Sequence, residues 1–141
     1  LDPVALATRS WKLLQRHFDR RPLSNPFVRF GNRFACDLPE LQSKGLPYYH
    51  AWAFASIRQA GAAFDLAAAH LRWQAHTGHP ALNAPAECFD SIAQSNKALI
   101  LKGARAVNSG RALDASQQFS EMAQAWDKGM DLLQLAIDGH P

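Results

Sequence analysis

Six histidines, two cysteines and scattered carboxylates are the side chains of this sequence with chemistry to offer. His70, His76 and His79 lie close together with Asp65 upstream, and His50 falls on the same predicted helix, which is the raw material of a zinc-type site. The spacing works against it. His70 and His76 are six apart, about a third of a turn out of line on a helix, and no HxxxH or ExxH face exists. Neither metal nor cofactor is expected, and His76 and His79 read as a solvent-facing helix terminus where positive charge suits the helix dipole. The nucleophiles fare no better. Ser56 sits mid-helix with no strand-to-helix elbow, Cys36 has Arg33 nearby but no base, and Cys88 near a helix start reads as a small packing residue. Asp127 and Asp131 are carboxylates one turn apart on a polar face. There is no phosphate-cradling or dinucleotide fingerprint, so no catalytic residue is assigned.

Charge is the next candidate. Through Arg58 the chain carries nine Lys/Arg against four Asp/Glu, and afterwards six against eight, so the amino-terminal half is the basic one. Arg16, Arg20, Arg21, Arg29 and Arg33 form a basic patch able in principle to hold phosphates. Sequence-specific DNA reading by a helix-turn-helix needs a tight turn after the first helix, and a long irregular segment stands there instead. A solvated basic face is the preferred reading, and nucleic-acid binding ranks third among the functions considered.

The elements that would position these residues are helical throughout. The stretch Pro47 to His76 has proline at its start and Gly78 and Pro80 beyond its end, and it predicts one long central helix, about 47–76. Phe54, Ile57, Gly61, Phe64, Ala68, Leu71 and Ala75 recur along it at threes and fours, with Tyr48, Trp52, Ala55, Ala63 and Ala67 on a second strip, so other helices should pack on two sides. Before it, Asp2 and Pro3 open a helix carrying Val4, Ala7, Trp11, Leu14 and Phe18. Residues 22–46, with three prolines and two glycines, predict an irregular insertion of one or two short helices bearing Phe27, Phe30 and Phe34. After it, Pro85 opens a helix with the seam Phe89, Ile92, Asn96, Leu99, Gly103 and Ala106. Asp114 begins another with Ala115, Phe119, Met122, Trp126, Gly129, Leu133 and Ala136. These two are read as separate helices or as one rod kinked at Ser109–Gly110.

The expected fold is therefore all-α: a four-helix bundle in a single domain, 1–141, excised from a longer chain. A chain of this length buries about 70% of its unfolded surface without staples, and two cysteines fit a reducing cytoplasm. Charged residues within the central helix exclude a membrane span.

From Glu87 to Ile137 the alternation of Ala, Gln, Ser and Lys on amphipathic helices resembles the helical repeats of phasins, the coat proteins of bacterial polyhydroxyalkanoate granules. That resemblance implies a non-enzymatic, granule-associated oligomer laying apolar strips on a polyester or lipid-like surface. It transfers no functional residue. The functional expectation is an interaction module docking apolar helix faces onto a partner protein, itself or such a surface, with Trp11, Phe27, Phe30, Phe34, Trp52, Trp73 and Trp126 as interaction candidates. The alternative is a ligand-binding or enzymatic bundle in which Tyr48, Tyr49, His50, Trp52 and Asp65 converge on an internal pocket.

Overall fold

A computed structural model describes residues 2–140; Leu1 and Pro141, the ends of the expected single domain, lie outside the described residues. The described residues form helices and no strand, so the all-α fold is as expected. Helix α1 spans Pro3–Asp19, α2 Pro26–Lys44, α3 Leu46–Ala53, α4 Gln59–His76, α5 Asn83–Ser109 and α6 Ser116–Asp138. A π-helical turn, Phe54–Arg58, joins α3 to α4 into one rod, and a short 3₁₀ turn, Pro80–Leu82, leads into α5.

Local chemistry sets the boundaries. The Asp2 carboxylate accepts from the Val4 amide at 3.1 Å with Pro3 at the first helical position, and Asn25 does the same for Phe27 at 2.9 Å ahead of Pro26. Asn25 also ties α2 to α6, donating from Nδ2 to the Ala123 carbonyl at 2.8 Å. Gly45, at φ 86°, ends α2 in a backbone region where a Cβ is strained, and Gly110, left-handed at φ 68°, ends α5 and separates it from α6.

The segment 22–46 departs from the reading as short irregular helices. Residues 26–44 make a single 19-residue helix that belongs to the bundle. Pro39 lies inside it, but Pro39 and Ala35, whose carbonyl it crowds, are both exposed, so the lost hydrogen bond opens toward water. Phe27 and Phe34 are buried and Phe30 half-buried, with Phe30 and Phe34 set against Phe119 of α6 at ring separations of 5.3 and 5.5 Å. The bundle proper is α2, the α3–α4 rod, α5 and α6. Helix α1 lies outside it against α4, and α5 has the most neighbours.

The π-turn explains which face of the rod packs. Tyr49, Ala53, Ile57 and Gly61 are all buried at successive steps of four. An ideal α-helix drifts about 40° over each such step, and one wide turn absorbs the drift. Consequently Tyr49 enters the core, while Tyr48 and Phe54, expected on the packed strips, face water. Beyond the turn Phe64 bridges Phe27 of α2 and Phe89 of α5 at 5.4 and 5.3 Å. The seams of α5 and α6 are buried residue for residue as the sequence predicts, Asn96 included.

Candidate functional site

Where the rod leaves its π-turn, a pocket of about 440 Å³ opens to the surface between α4 and α5. Ile57, Arg58, Gly61, Ala62 and Asp65 of the rod line one side, and Asn96, Lys97, Ile100 and Leu101 of α5 the other. The lining is apolar below and charged at the mouth. The Lys97 ammonium stands 3.9 Å from the Asp65 carboxylate, a long contact between exposed groups, and Arg58 has no carboxylate partner among the described residues. In the floor Asn96 is 1% exposed; its Nδ2 donates to the Ile92 carbonyl at 3.0 Å, and its Oδ1 receives no hydrogen bond. A buried acceptor in that state costs about 1–3 kcal/mol. Gly61 faces it across the helix crossing, where a Cβ would come within 3.2 Å of the Asn96 Cβ.

Around this pocket the solvent side of the rod is unusually apolar. Phe54 is 57% exposed, Leu66 72% and Trp73 38%, and Leu101 of α5 is 60% exposed across the pocket. Ala62, Leu66, Ala69 and Trp73 are all exposed and follow each other at intervals of four, three and four, the spacing by which one helix receives another.

The other interaction candidates are placed differently. Trp11 and Trp126 are buried and Trp52 is half-buried, so of the four tryptophans Trp73 offers the most surface. Phe27 and Phe34 are core. Tyr49, His50 and Asp65 do not share a pocket: the Tyr49 hydroxyl is buried and donates to the Ile100 carbonyl at 2.7 Å, His50 is exposed, and Asp65 lines the α4/α5 pocket. Burial pushes the Tyr49 phenol up to about 12. The basic residues stand at the carboxyl end of α1 and on α2. Arg16, Arg20 and Arg29 are exposed, Arg21 lies 3.9 Å over the Phe18 ring and donates to its carbonyl, and Arg33 pairs with Asp37 at 3.0 Å.

Three of the six histidines, His70, His79 and His140, lie where α1 meets the bundle. The Trp11 indole stacks on His79 at 3.9 Å, His140 meets both rings edge-on, and the Ser10 hydroxyl is 2.6 Å from His70 Nε2. Both imidazoles are held below the ordinary histidine pKa, first by burial and then by a neighbouring imidazole, His17 for His70 and His140 for His79. No group of three or more metal-ligating side chains forms among the described residues. Cys88 is half-buried and burial pushes its thiol up, the wrong direction for a nucleophile. Arg72 of α4 pairs with Asp90 of α5 at the pocket-remote end of their interface.

The sequence points to Ile57, Gly61 and Asn96 as seam residues. It gives no sign that Arg58, Lys97 and Leu101 gather round them, since that depends on how the π-turn rotates the rod. The Leu66–Trp73 repeat is present in the sequence but lies outside the two strips whose spacing predicts packing.

A helical bundle with an open interhelical pocket and an apolar outer seam is the class that this geometry defines. A family model described as the DUF1839 C-terminal domain matches residues 4–135, and the chain belongs to that family. No curated protein and no solved structure matches it. The match corrects the phasin resemblance over 87–137: it covers α5 and α6 together with the rest of the bundle and assigns them to a different family. Alanine, glutamine and serine on amphipathic helices are what any bundle with close helix crossings requires, so that texture does not identify a granule coat. No helix among the described residues is long and apolar enough to cross a membrane.

Proposed function

We propose that this chain is a non-catalytic binding module that docks an apolar helix face of a partner protein along the outer side of the α3–α4 rod. The observation that carries the reading is the exposed seam Ala62, Leu66, Ala69 and Trp73, set at helix-pairing intervals on a helix already braced from behind by α5. Burying Leu66 and Trp73 would each contribute about 1.5–3 kcal/mol, and the small residues between them let a second backbone approach. Arg58 and Asp65 flank the seam with opposite charges that would set the partner's orientation. A second copy of this chain is the simplest helical partner to assay.

Sedimentation combined with a hydrophobic-dye titration tests the reading. Self-association or saturable dye binding in the native state, lost in the Leu66→Lys/Trp73→Lys double variant with its helical spectrum intact, is the expected result. A monomer that binds no dye overturns it.

A further inference from the structure

The pocket between α4 and α5 has features that a flat docking face does not require. Among its lining residues is Asn96, a side chain 1% exposed whose Oδ1 is an acceptor without a donor. The amide cannot be turned round to hide this. Swapping its oxygen and nitrogen would set the amide oxygen against the Ile92 carbonyl that Nδ2 now contacts at 3.0 Å. Beside Asn96 the walls are Ile57, Ala62, Ile100 and Leu101, and the mouth carries two cations, Arg58 and Lys97, against the single carboxylate of Asp65. A volume of about 440 Å³ is within the range of small-molecule sites, which pair an apolar lining with few, well-placed polar groups. The wide turn at Phe54–Arg58 delivers two of the lining residues, Ile57 to the wall and Arg58 to the rim. Such turns are frequent at functional sites.

We infer that this pocket binds a small organic anion: an apolar body of one- or two-ring size, bearing an N–H or O–H that donates to Asn96 Oδ1 and an acidic group that lies between Arg58 and Lys97. Each part answers one feature of the site. The donor removes the penalty of the orphaned acceptor, the ring replaces solvent against Ile57, Ile100 and Leu101, and the anion supplies the charge that the mouth lacks. The inference does not rest on helix docking along Leu66 and Trp73, which needs neither Asn96 nor an anion, although the two share Arg58, Ala62 and Asp65 at their border.

Indoleacetate is a suitable probe because it has all three parts, and N-methylindoleacetate and indole each lack one. Backbone amide spectra of the 141-residue chain should show saturable shifts confined to residues 57–65 and 96–101. Methylating the ring nitrogen should weaken binding by about tenfold or more, and removing the carboxylate should weaken it severalfold. In Asn96→Leu, a variant of similar volume, the methylated and unmethylated probes should bind alike, and in Arg58→Gln the advantage of indoleacetate over indole should shrink. Circular dichroism of both variants verifies that they fold. Absence of saturable shifts up to about 10 mM probe, shifts centred elsewhere, or equal binding of the methylated and unmethylated probes by the unsubstituted protein would each overturn the assignment.

Discussion

Tyr49 and Gly103 meet face to face at the crossing of α3 and α5. The ring lies so close that a Cβ at position 103 would collide with the phenol hydroxyl and stand 2.7 Å from the carbon that bears it, and that hydroxyl donates to the Ile100 carbonyl at 2.7 Å. The glycine is therefore the room in which the tyrosine sits. Gly103→Ala should destabilise the fold by about 1–3 kcal/mol, the usual cost of overpacking, and Tyr49→Phe by about 1 kcal/mol for the lost hydrogen bond. Because both changes act on one contact, the double variant should lose less than the sum, which a denaturant-melt cycle measures directly.

The same contact predicts an optical signature. The chain has two tyrosines, and burial raises Tyr49 to about 12 against an ordinary value near 10. An acid whose folded pKa is raised contributes stability below its ordinary pKa and loses it as pH climbs through the folded value. Ultraviolet titration should show the Tyr49 phenolate appearing only together with alkaline unfolding. A smooth, early titration of both rings would place Tyr49 in contact with water.

How much of this was legible follows from the physics of each element. The α5 seam from Phe89 to Ala106 and the α6 seam from Ala115 to Ala136 run at the ordinary helical period, so alternation of apolar and polar residues gives their buried faces directly. Helix α2 was hidden by Pro39 and Gly31. Proline ordinarily ends a helix, but at 39 it sits on the wet side, and Gly31 is small because the Phe119 Cβ lies 3.0 Å from where its own Cβ would be. The rod is continuous, as its sequence predicts, but at its start it turns Tyr49 and Ala53 inward and leaves Tyr48 and Phe54 in water. Its packed residues step by four through Tyr49, Ala53, Ile57 and Gly61, a period that belongs to the π-turn rather than to the α-helix. The pocket inherits that blind spot, since Arg58 reaches its rim through the same turn.

The extra residue of the wide turn can be removed. Deleting Ala55 would let the rod wind as an α-helix throughout and rotate Tyr49 and Ala53 by about 100° relative to Ile57 and Gly61. Tyr49 would leave its site against Gly103. A loss of at least about 3 kcal/mol is expected from urea denaturation, comparable with truncating a large core side chain. An unchanged midpoint would mean the wide turn sets no register.

Acidification should loosen α1 first. His70 meets Ser10 and His17 of α1 and stacks with Trp73 at 6.0 Å, while His79 is stacked on Trp11 and faces His140. A protonated imidazole gains some attraction from an indole face, yet burial and the second imidazole prevail, and both pKa values are lowered. For a base with a lowered folded pKa, the unfolded chain takes up protons first. Stability is therefore complete above about pH 6.5 and declines as pH falls from there through the folded values. The melting temperature should drop by a few degrees between neutral and mildly acidic buffer, with Trp11 emission shifting ahead of the main transition. His70→Gln with His79→Gln should flatten the dependence. A steeper fall in that double variant would assign the acid sensitivity to other groups.

Asn96 lets stability and binding be separated at one position. A side chain kept for packing alone would be better as leucine, which has nearly the same volume, leaves no acceptor buried without a donor and frees nothing essential, because the Ile92 carbonyl keeps its helical partner. Asn96→Leu should therefore raise stability by up to about 1 kcal/mol. The neighbouring crossing is tight, with Gly61 directly opposite, so the comparison also requires that Gly61→Ala lower stability while Asn96→Leu does not. Thermal melts of the two variants decide the matter: a stabilised Asn96→Leu means that the amide is carried at a cost that packing does not explain, and a loss of about 2 kcal/mol or more would mean that its oxygen is already satisfied in the folded chain.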